Sequence, residues 1–169
     1  SKIKIVDKDN NELPSNEIGE IICKTDQIMD GYFNREKSTE DAIRDGWFYT
    51  GDAGYIDEGG FLFIRDRIKD VVISGGENIY PAEVENELMA HSSIVDCAVI
   101  GIPDNKWGEA VLAVIVIDPS NFSEFDVKAF LKSRLAGFKI PKEFKIVDAL
   151  PRNAAGKVTK AELRERFCD

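Results

Sequence analysis

The fold is decided by residues 71 to 85, which are Val71-Val72-Ile73-Ser74-Gly75-Gly76-Glu77-Asn78-Ile79-Tyr80-Pro81-Ala82-Glu83-Val84-Glu85. The apolar residues at the start of this run predict a strand from Asp70 to Ile73. Pro81 favours the first turn of a helix that runs to about His91. Between strand and helix, the Gly75-Gly76 pair predicts a tight loop that projects its backbone toward a narrow ligand channel. The plainer alternative is an ordinary hairpin turn.

Downstream of this run, apolar strands alternate with helices. Ile94 to Ile102 and Ala110 to Ile117 are predicted to be strongly apolar strands, and Phe144 to Val147 a short third one. Two capping boxes predict where helices begin, and their members are Ser123 with Asp126 and Thr159 with Glu162. We therefore expect a compact α+β unit over residues 68–169.

Upstream of residue 68 the chain has the pattern of a β structure. Four strands are predicted: Ile3 to Asp7, Glu17 to Lys24, Trp47 to Ile56 and Phe61 to Arg65. Four strands of this size bury few faces, so residues 1–67 are expected to be a piece of a larger barrel or sheet. The predicted fold class is α+β, with an incomplete β-rich subdomain followed by a small α+β domain.

Composition restricts the functions open to the chain. With 43% apolar residues among 169 it can build a core, and it has no run of about 18 apolar residues that would cross a membrane. Cys23, Cys97 and Cys168 are far apart and odd in number, and His91 is the only histidine. These counts argue against a disulfide framework, a histidine-based metal site and a Ser-His-Asp triad, and they favour the cytoplasm.

The net charge of −9 argues against a nucleic-acid partner, but the charge is spread unevenly. Residues 128 to 169 hold 11 basic and 5 acidic residues, a balance of +6. This tail is suited to facing an anion such as a phosphate ester. A solvated basic helix face is the plainer interpretation.

Two further strings carry side chains suited to chemistry on a nucleotide. Tyr49-Thr50-Gly51-Asp52 lies on a predicted strand, where a carboxylate can accept hydrogen bonds from both hydroxyls of a ribose. Alternatively, Asp52 bonds its own backbone in a turn. Lys157 follows Gly156 in a basic loop, and an ammonium ion there suits the charge that develops on a phosphoryl group. Alternatively, it is a surface lysine.

In this order, and together with Arg65-Asp66-Arg67-Ile68-Lys69-Asp70, these strings resemble the adenylate-forming (AMP-binding) family. That family includes acyl-CoA synthetases, carrier-linked adenylation domains and luciferases, and the resemblance covers about residues 17 to 167. It implies the carboxyl-terminal part of an acyl-CoA synthetase, in which residues 1–67 end the large amino-terminal domain and residues 68–169 are a mobile lid domain. Such enzymes join a carboxylic acid to ATP, and a thiol then displaces AMP.

The resemblance implies a role for each residue that matches the family's motifs. Asp52 and Arg67 would hold the ribose hydroxyls of ATP or AMP, with Ile64 beside the nucleotide. Lys157 would bridge the carboxylate and the α-phosphate during adenylation. Lys69 would be the hinge about which the lid swings.

The same swing would bring Gly75 and Gly76 into the site, where they would line the tunnel for the pantetheine arm of CoA. Three positions depart from the commonest pattern of the family, and they are Asp66, Asn78 and Ala155. The string that begins at Gly75 is most similar to synthetases of fatty or other small organic acids. This similarity favours CoA over a carrier protein as the acceptor.

The resemblance also implies what the chain lacks. It contains no Ser/Thr/Gly-rich phosphate loop and no acyl pocket, so the ATP phosphates and Mg²⁺ are expected to be held mainly by the rest of the amino-terminal domain. The 169-residue chain is therefore expected to be inactive alone. Which acid is used and the oligomeric state stay open. The alternatives are a carrier-protein-linked adenylation domain and a stand-alone nucleotide- or partner-binding module.

Overall fold

A computed structural model describes Ser1–Cys168. In this structure the chain divides into two compact units, and the boundary falls between Lys69 and Asp70. The first unit is Ser1–Lys69, and the second begins at Asp70. The boundary expected from the sequence lies two residues earlier, between 67 and 68.

The first unit is built on one antiparallel sheet of five strands. They are β1 (Lys2–Val6), β2 (Gly19–Lys24), β3 (Ile43–Arg44), β4 (Trp47–Ile56) and β5 (Leu62–Arg67). The strand order is β1-β2-β4-β3, and β5 also pairs with β4. One helix, α1 (Glu36–Ala42), precedes β3. The four predicted strands are confirmed, whereas α1 and β3 were not predicted because neither has a long apolar period.

The core of the first unit is thin. Its buried apolar residues are Ile5, Val6, Ile21, Ile22 and Ala53. In contrast, the Phe33 side chain is 92% exposed and Phe61 is 68% exposed. Large apolar surface therefore stays uncovered within this unit.

The second unit surrounds a mixed sheet with helices. Its elements are β6 (Val72–Ser74), β7 (Glu77–Ile79), α2 (Pro81–Met89), β8 (Ile94–Asp104), β9 (Gly108–Ile117), α3 (Glu124–Lys132), β10 (Glu143–Ile146) and α4 (Lys160–Phe167). Single 3-10 turns lie at Ile68–Asp70 and Gly137–Lys139. β9 pairs with β8 along its length, and its other edge carries β10, the one parallel neighbour, and the end of β6.

Both faces of the β8–β9 ribbon are buried. Alternate residues such as Val99 and Val111 pack with α2 and α3 on one face. Their neighbours Ile100 and Leu112 pack with Leu163 of α4 on the other face. A ribbon covered on both faces requires the nearly continuous apolar runs found in β8 and β9. The predicted α+β class is confirmed.

The structure corrects the placement of Gly75-Gly76 and one of the two capping boxes. Gly75 and Gly76 form the turn of a hairpin between β6 and β7 and not a loop between a strand and a helix, and the ligand channel beside them stays a prediction. The Ser123 hydroxyl accepts a hydrogen bond from the Asp126 N–H at 3.3 Å, as predicted. The box at Thr159 was wrong, because this hydroxyl makes no capping bond and is buried without a partner among the described residues.

Ser123 and Thr159 allow a direct test of the two caps. We expect Ser123→Ala to lower the free energy of unfolding by about 1 kcal/mol, because the Asp126 N–H loses its acceptor. Thr159→Val should not lower it and is expected to raise it by about 1 kcal/mol, because a buried hydroxyl without a partner loses its hydration on folding and a methyl group does not. Urea unfolding followed by far-ultraviolet circular dichroism measures both values. Equal losses for the two variants would contradict the assignment.

Candidate functional site

The first part of the candidate site is a cross-strand pair of opposite charges. Asp52 on β4 lies opposite Arg67 on β5, and the Arg67 Nε donates to the Asp52 Oδ1 at 2.8 Å. The Thr50 hydroxyl accepts from the Asp52 N–H at 3.1 Å and donates to the Ile21 carbonyl at 2.7 Å. The carboxylate is thus fixed on a strand, and its second oxygen can still accept hydrogen bonds.

A β-bulge brings Ile64 to the same face of the sheet. Asp52 pairs with Arg67 and Gly54 with Ile64, so β5 uses three residues where β4 uses two. Directly opposed residues share a face, and Asp52 and Gly54 are two apart on β4, so Ile64 shares the face of Asp52 and Arg67. The Ile64 side chain is 66% exposed. The three residues predicted to contact the nucleotide are therefore brought together.

Lys69 is the last residue of the first unit and lies in the 3-10 turn Ile68–Asp70. The next residue, Asp70, is held within the second unit, because its carboxylate accepts from the Arg164 Nη2 on α4 at 2.7 Å. The predicted hinge residue thus lies directly before a residue that an ion pair fixes.

The glycine hairpin, Ser74–Glu77, has both glycines in the left-handed region. Gly75 has φ +62° and Gly76 has φ +87°. The Gly75 N–H donates to the Trp107 carbonyl at 2.8 Å, and a Cβ on Gly75 would lie 2.8 Å from the Trp107 ring. A Cβ on Gly76 would meet nothing within 4 Å. Gly75 is therefore packed on an aromatic ring, whereas Gly76 faces open space.

Beside the glycine hairpin lies a cavity of about 320 Å³ whose lining includes Trp107, Phe138 and Lys142. The sequence did not single out these three residues. The Asp104 carboxylate accepts from the Lys142 ammonium at 2.7 Å and from the N–H groups of the turn that carries Trp107. These hydrogen bonds lower the pKa of Asp104 to about 2, and the bond from Lys142 has the largest effect. In the sequence, the polar turn between the two apolar strands β8 and β9 was the signal that could have drawn attention to Trp107.

Lys157 lies in a closed turn, the lysine loop, Pro151–Thr159. The Thr159 N–H donates to the Pro151 carbonyl at 2.9 Å, which closes the loop. The Asn153 Oδ1 accepts from the N–H groups of Ala155 and Lys157, each at 3.0 Å. The Lys157 side chain is exposed, and no hydrogen bond or ion pair from residues 1–168 engages its ammonium group.

The lysine loop and the glycine hairpin lie at opposite ends of the β8–β9 ribbon. Arg152 of the lysine loop contacts Asp96 near the start of β8. Ser74 of the glycine hairpin pairs with Gly108, which lies opposite Asp104 at the other end of β8. Asp104 lies eight residues after Asp96 along β8, or about 26 Å at about 3.3 Å per residue. Within the second unit, these predicted site residues are thus kept apart.

Among residues 1–168, no group of three or more His, Cys, Asp or Glu side chains could hold a metal ion. None of the helices in this range has the length and apolar character needed to span a bilayer.

Comparison with known proteins places this fold among enzymes that bind AMP. Residues 83–157 match the family of the AMP-binding enzyme C-terminal domain. The chain is 46% identical over 149 residues to a long-chain fatty acid–CoA ligase of Mycobacterium tuberculosis, covering 88% of this chain and 30% of the ligase. It is 44% identical over 165 residues to a fatty acid–[acyl-carrier-protein] ligase of Streptomyces coeruleorubidus, covering 97% of this chain and 32% of that protein.

Solved structures agree with these matches. The o-succinylbenzoate CoA synthetase of Bacillus subtilis in complex with its acyl-adenylate intermediate superposes with a TM-score of 0.91 at 43% identity, covering 96% of this chain and 33% of the synthetase. A structure of the same enzyme with ATP and a magnesium ion gives a TM-score of 0.89 at 42% identity, over 96% and 34% of the two chains.

The second unit is thus a C-terminal domain of the kind found in AMP-binding enzymes. Residues 83–157 match the family of C-terminal domains that the motifs predicted, and the chain is similar to the carboxyl-terminal part of acyl-CoA and acyl-carrier-protein ligases. It spans about a third of the length of the relatives it matches.

Gly75 and Gly76 provide a matched pair for testing the glycine hairpin. Alanine at either position is strained at positive φ, and we expect Gly76→Ala to cost about 1 kcal/mol of unfolding free energy. Gly75→Ala should cost clearly more, because its Cβ would also clash with the Trp107 ring. Urea unfolding measures both. If the two variants lose equal stability, the packing of Gly75 on Trp107 contributes nothing to the free energy of unfolding.

Proposed function

We propose that the chain is the carboxyl-terminal part of an ATP-dependent acyl-CoA synthetase. The enzyme converts a carboxylic acid, ATP and CoA to acyl-CoA, AMP and pyrophosphate through an acyl adenylate. The observation that carries this proposal is the separation of Lys157 from Gly75-Gly76 at the two ends of the β8–β9 ribbon. Each end is assigned to one of two reactions in one pocket.

The nucleotide contacts are assigned to the first unit. Asp52 accepts hydrogen bonds from the ribose hydroxyls, Arg67 holds the carboxylate in place and contacts the ribose, and Ile64 lies beside the nucleotide. Their common face and the 2.8 Å ion pair support this assignment. The exposed Ile64 side chain supports it as well, because an apolar surface left open on a site face suits a flat, partly apolar ligand.

Lys157 is assigned to the first reaction. The carboxylate of the acid attacks the α-phosphorus of ATP, the bond to pyrophosphate breaks, and negative charge builds up between the two reactants. An ammonium group lowers the energy of that charge if it is free to approach it. The exposed Lys157 side chain, which no residue from 1 to 168 neutralises, supports this role.

Gly75 and Gly76 are assigned to the second reaction, in which the CoA thiol attacks the acyl carbon and AMP leaves. A thiol at the end of a narrow pantetheine arm needs a path that side chains leave open. The open space at the Cβ position of Gly76 and the neighbouring cavity of about 320 Å³ support this assignment.

A turn of the second unit about Lys69 connects the two reactions. A rigid ribbon about 26 Å long between Asp96 and Asp104 cannot place both of its ends at one reacting centre, so the unit must rotate between steps. The position of Lys69 at the junction, directly before the anchored Asp70, supports its assignment as the hinge.

The remaining parts of the site are assigned to the rest of the amino-terminal domain. That domain would hold the ATP phosphates with Mg²⁺ and would contain the acyl pocket, so we propose that the 169-residue chain is inactive alone. The uncovered apolar side chains of the first unit, among them Phe33 and Phe61, support such a partner. A cytoplasmic location stays a prediction from the sequence.

A carrier-protein-linked adenylation domain is the second candidate, and the 44% identity to an acyl-carrier-protein ligase favours it. Supplying the full-length enzyme with free CoA or with a phosphopantetheinylated carrier protein distinguishes the two acceptors. A stand-alone binding module is the third candidate. An open reading frame without an upstream synthetase region would favour that module.

Lys157→Ala tests the assignment of the first reaction. In the full-length enzyme we expect it to slow adenylate formation about 100-fold or more, because a preorganised charge at the reacting phosphate is lost. Thioester formation from a supplied acyl adenylate should change far less. Pyrophosphate exchange measures the first reaction, and thiol consumption measures the second. Equal loss in both reactions would contradict the assignment.

Gly76→Ala is the matched control, because it should slow the second reaction and spare the first. The 169-residue chain serves as the blank, from which we expect no pyrophosphate exchange. Detectable exchange by this chain would overturn its proposed inactivity.

A further inference from the structure

Two ion pairs lie on either side of Lys157, one formed by Arg152 of the lysine loop and one by Lys160, the residue that follows the loop. Before Lys157, the Arg152 Nη2 donates to the Asp96 Oδ2 at 2.5 Å. After it, the Lys160 Nζ lies 2.8 Å from the Glu85 Oε1. Both carboxylates belong to elements far away in sequence, β8 and α2. The loop is therefore held from both ends by groups outside it.

Arg152 connects the loop backbone to the sheet. Its Nη1 donates to the Gly156 carbonyl at 2.8 Å, and this carbonyl belongs to the peptide bond that joins Gly156 to Lys157. The same guanidinium contacts Asp96 through its Nη2. A single planar group thus fixes the peptide next to Lys157 relative to β8.

Asp96 lies at an irregularity of the strand pairing. The register of β8 against β9 shifts between Ile94 and Asp96, and the Asp96 Oδ1 accepts from the Cys97 N–H at 3.0 Å. Bulges of this kind change the direction of a side chain at a functional position. Asp96 is therefore set by the backbone before it meets Arg152.

In the second ion pair, Glu85 is itself held in place by a hydrogen bond. Its Oε1 accepts from the Val99 N–H of β8 at 2.8 Å while it also meets Lys160, the first residue of α4. The side chains of Lys160 and Glu85 are 16% and 23% exposed, so this pair is better shielded than that of Arg152 and Asp96.

We propose that Asp96 and Arg152 are positioning residues for adenylation, which act by holding the lysine loop so that Lys157 reaches the α-phosphate. The pair of Glu85 and Lys160 holds the other end of the loop. This inference rests on the role of Lys157 in the proposed function.

The bonds inside the loop give it its shape. The packing of Leu150 and Val158 places it on the unit, and the two ion pairs fix its orientation there. A misplacement of about 1 Å in a group that contacts the reacting atoms can cost about 100-fold in rate. A partly exposed ion pair, in contrast, contributes little to folding stability. The loss of Asp96 should therefore be seen in the first reaction and hardly in unfolding.

Asp96→Asn in the full-length enzyme tests the proposal, because it keeps the shape and the oxygen that accepts from Cys97 but removes the charge. We expect adenylate formation to fall about 10-fold, with thioester formation from a supplied adenylate unchanged. Glu124→Gln is the matched control, since it removes an exposed ion pair with Lys128 on α3 and should change neither reaction.

A double variant separates positioning from any independent effect. If Asp96 acts through Lys157, Asp96→Asn should have no further effect on adenylation in a Lys157→Ala background. Hydrogen exchange of the peptide that covers the lysine loop should be faster in Asp96→Asn and unchanged in Glu124→Gln.

Three results would overturn the inference about Asp96. They are an unchanged adenylation rate in Asp96→Asn, a full 10-fold loss in the Lys157→Ala background, and unchanged exchange of the loop. Failure of the proposed function would be recognised by a different result, because the adenylation rate would then be unchanged in Lys157→Ala itself.

Discussion

The packing of the β8–β9 ribbon is the constraint on which the second unit depends. Two long antiparallel strands are buried on both faces, between α2 and α3 on one side and α4 on the other. Side chains such as Val99, Ile100 and Leu112 are fully buried, so the ribbon cannot bend or slide without opening voids. The glycine hairpin and the lysine loop are both attached to this buried ribbon.

In the proposed function, this packing lets one small unit serve two reactions. Polar turns at the ends of the ribbon carry the residues assigned to chemistry, and a core between them keeps the distance constant. The glycine hairpin is held by the Trp107 carbonyl, and the lysine loop is held by carboxylates of β8 and α2. Each loop has its own internal bonds, so the proposed rotation of the unit would exchange one for the other without refolding either.

The first unit shows how a fixed pair is made on an otherwise thin sheet. Asp52 and Arg67 are opposed residues of β4 and β5, and a bulge adds Ile64 to their face. Its small core leaves apolar side chains uncovered, which supports the proposed contact with the rest of an amino-terminal domain. The acid–arginine pair is nevertheless set by strand pairing within the unit itself.

The sequence by itself determined the long strands, the order of the three motifs, the family and the cap at Ser123, because these depend on apolar periods and on residues within a few positions of one another. Only the tertiary structure decided four other features. They are the face of Ile64, the failed cap at Thr159, the packing of Gly75 on Trp107 and the contact of Arg152 with Asp96. Strand register and packing between distant segments create or remove these contacts, and no short stretch of sequence carries that information.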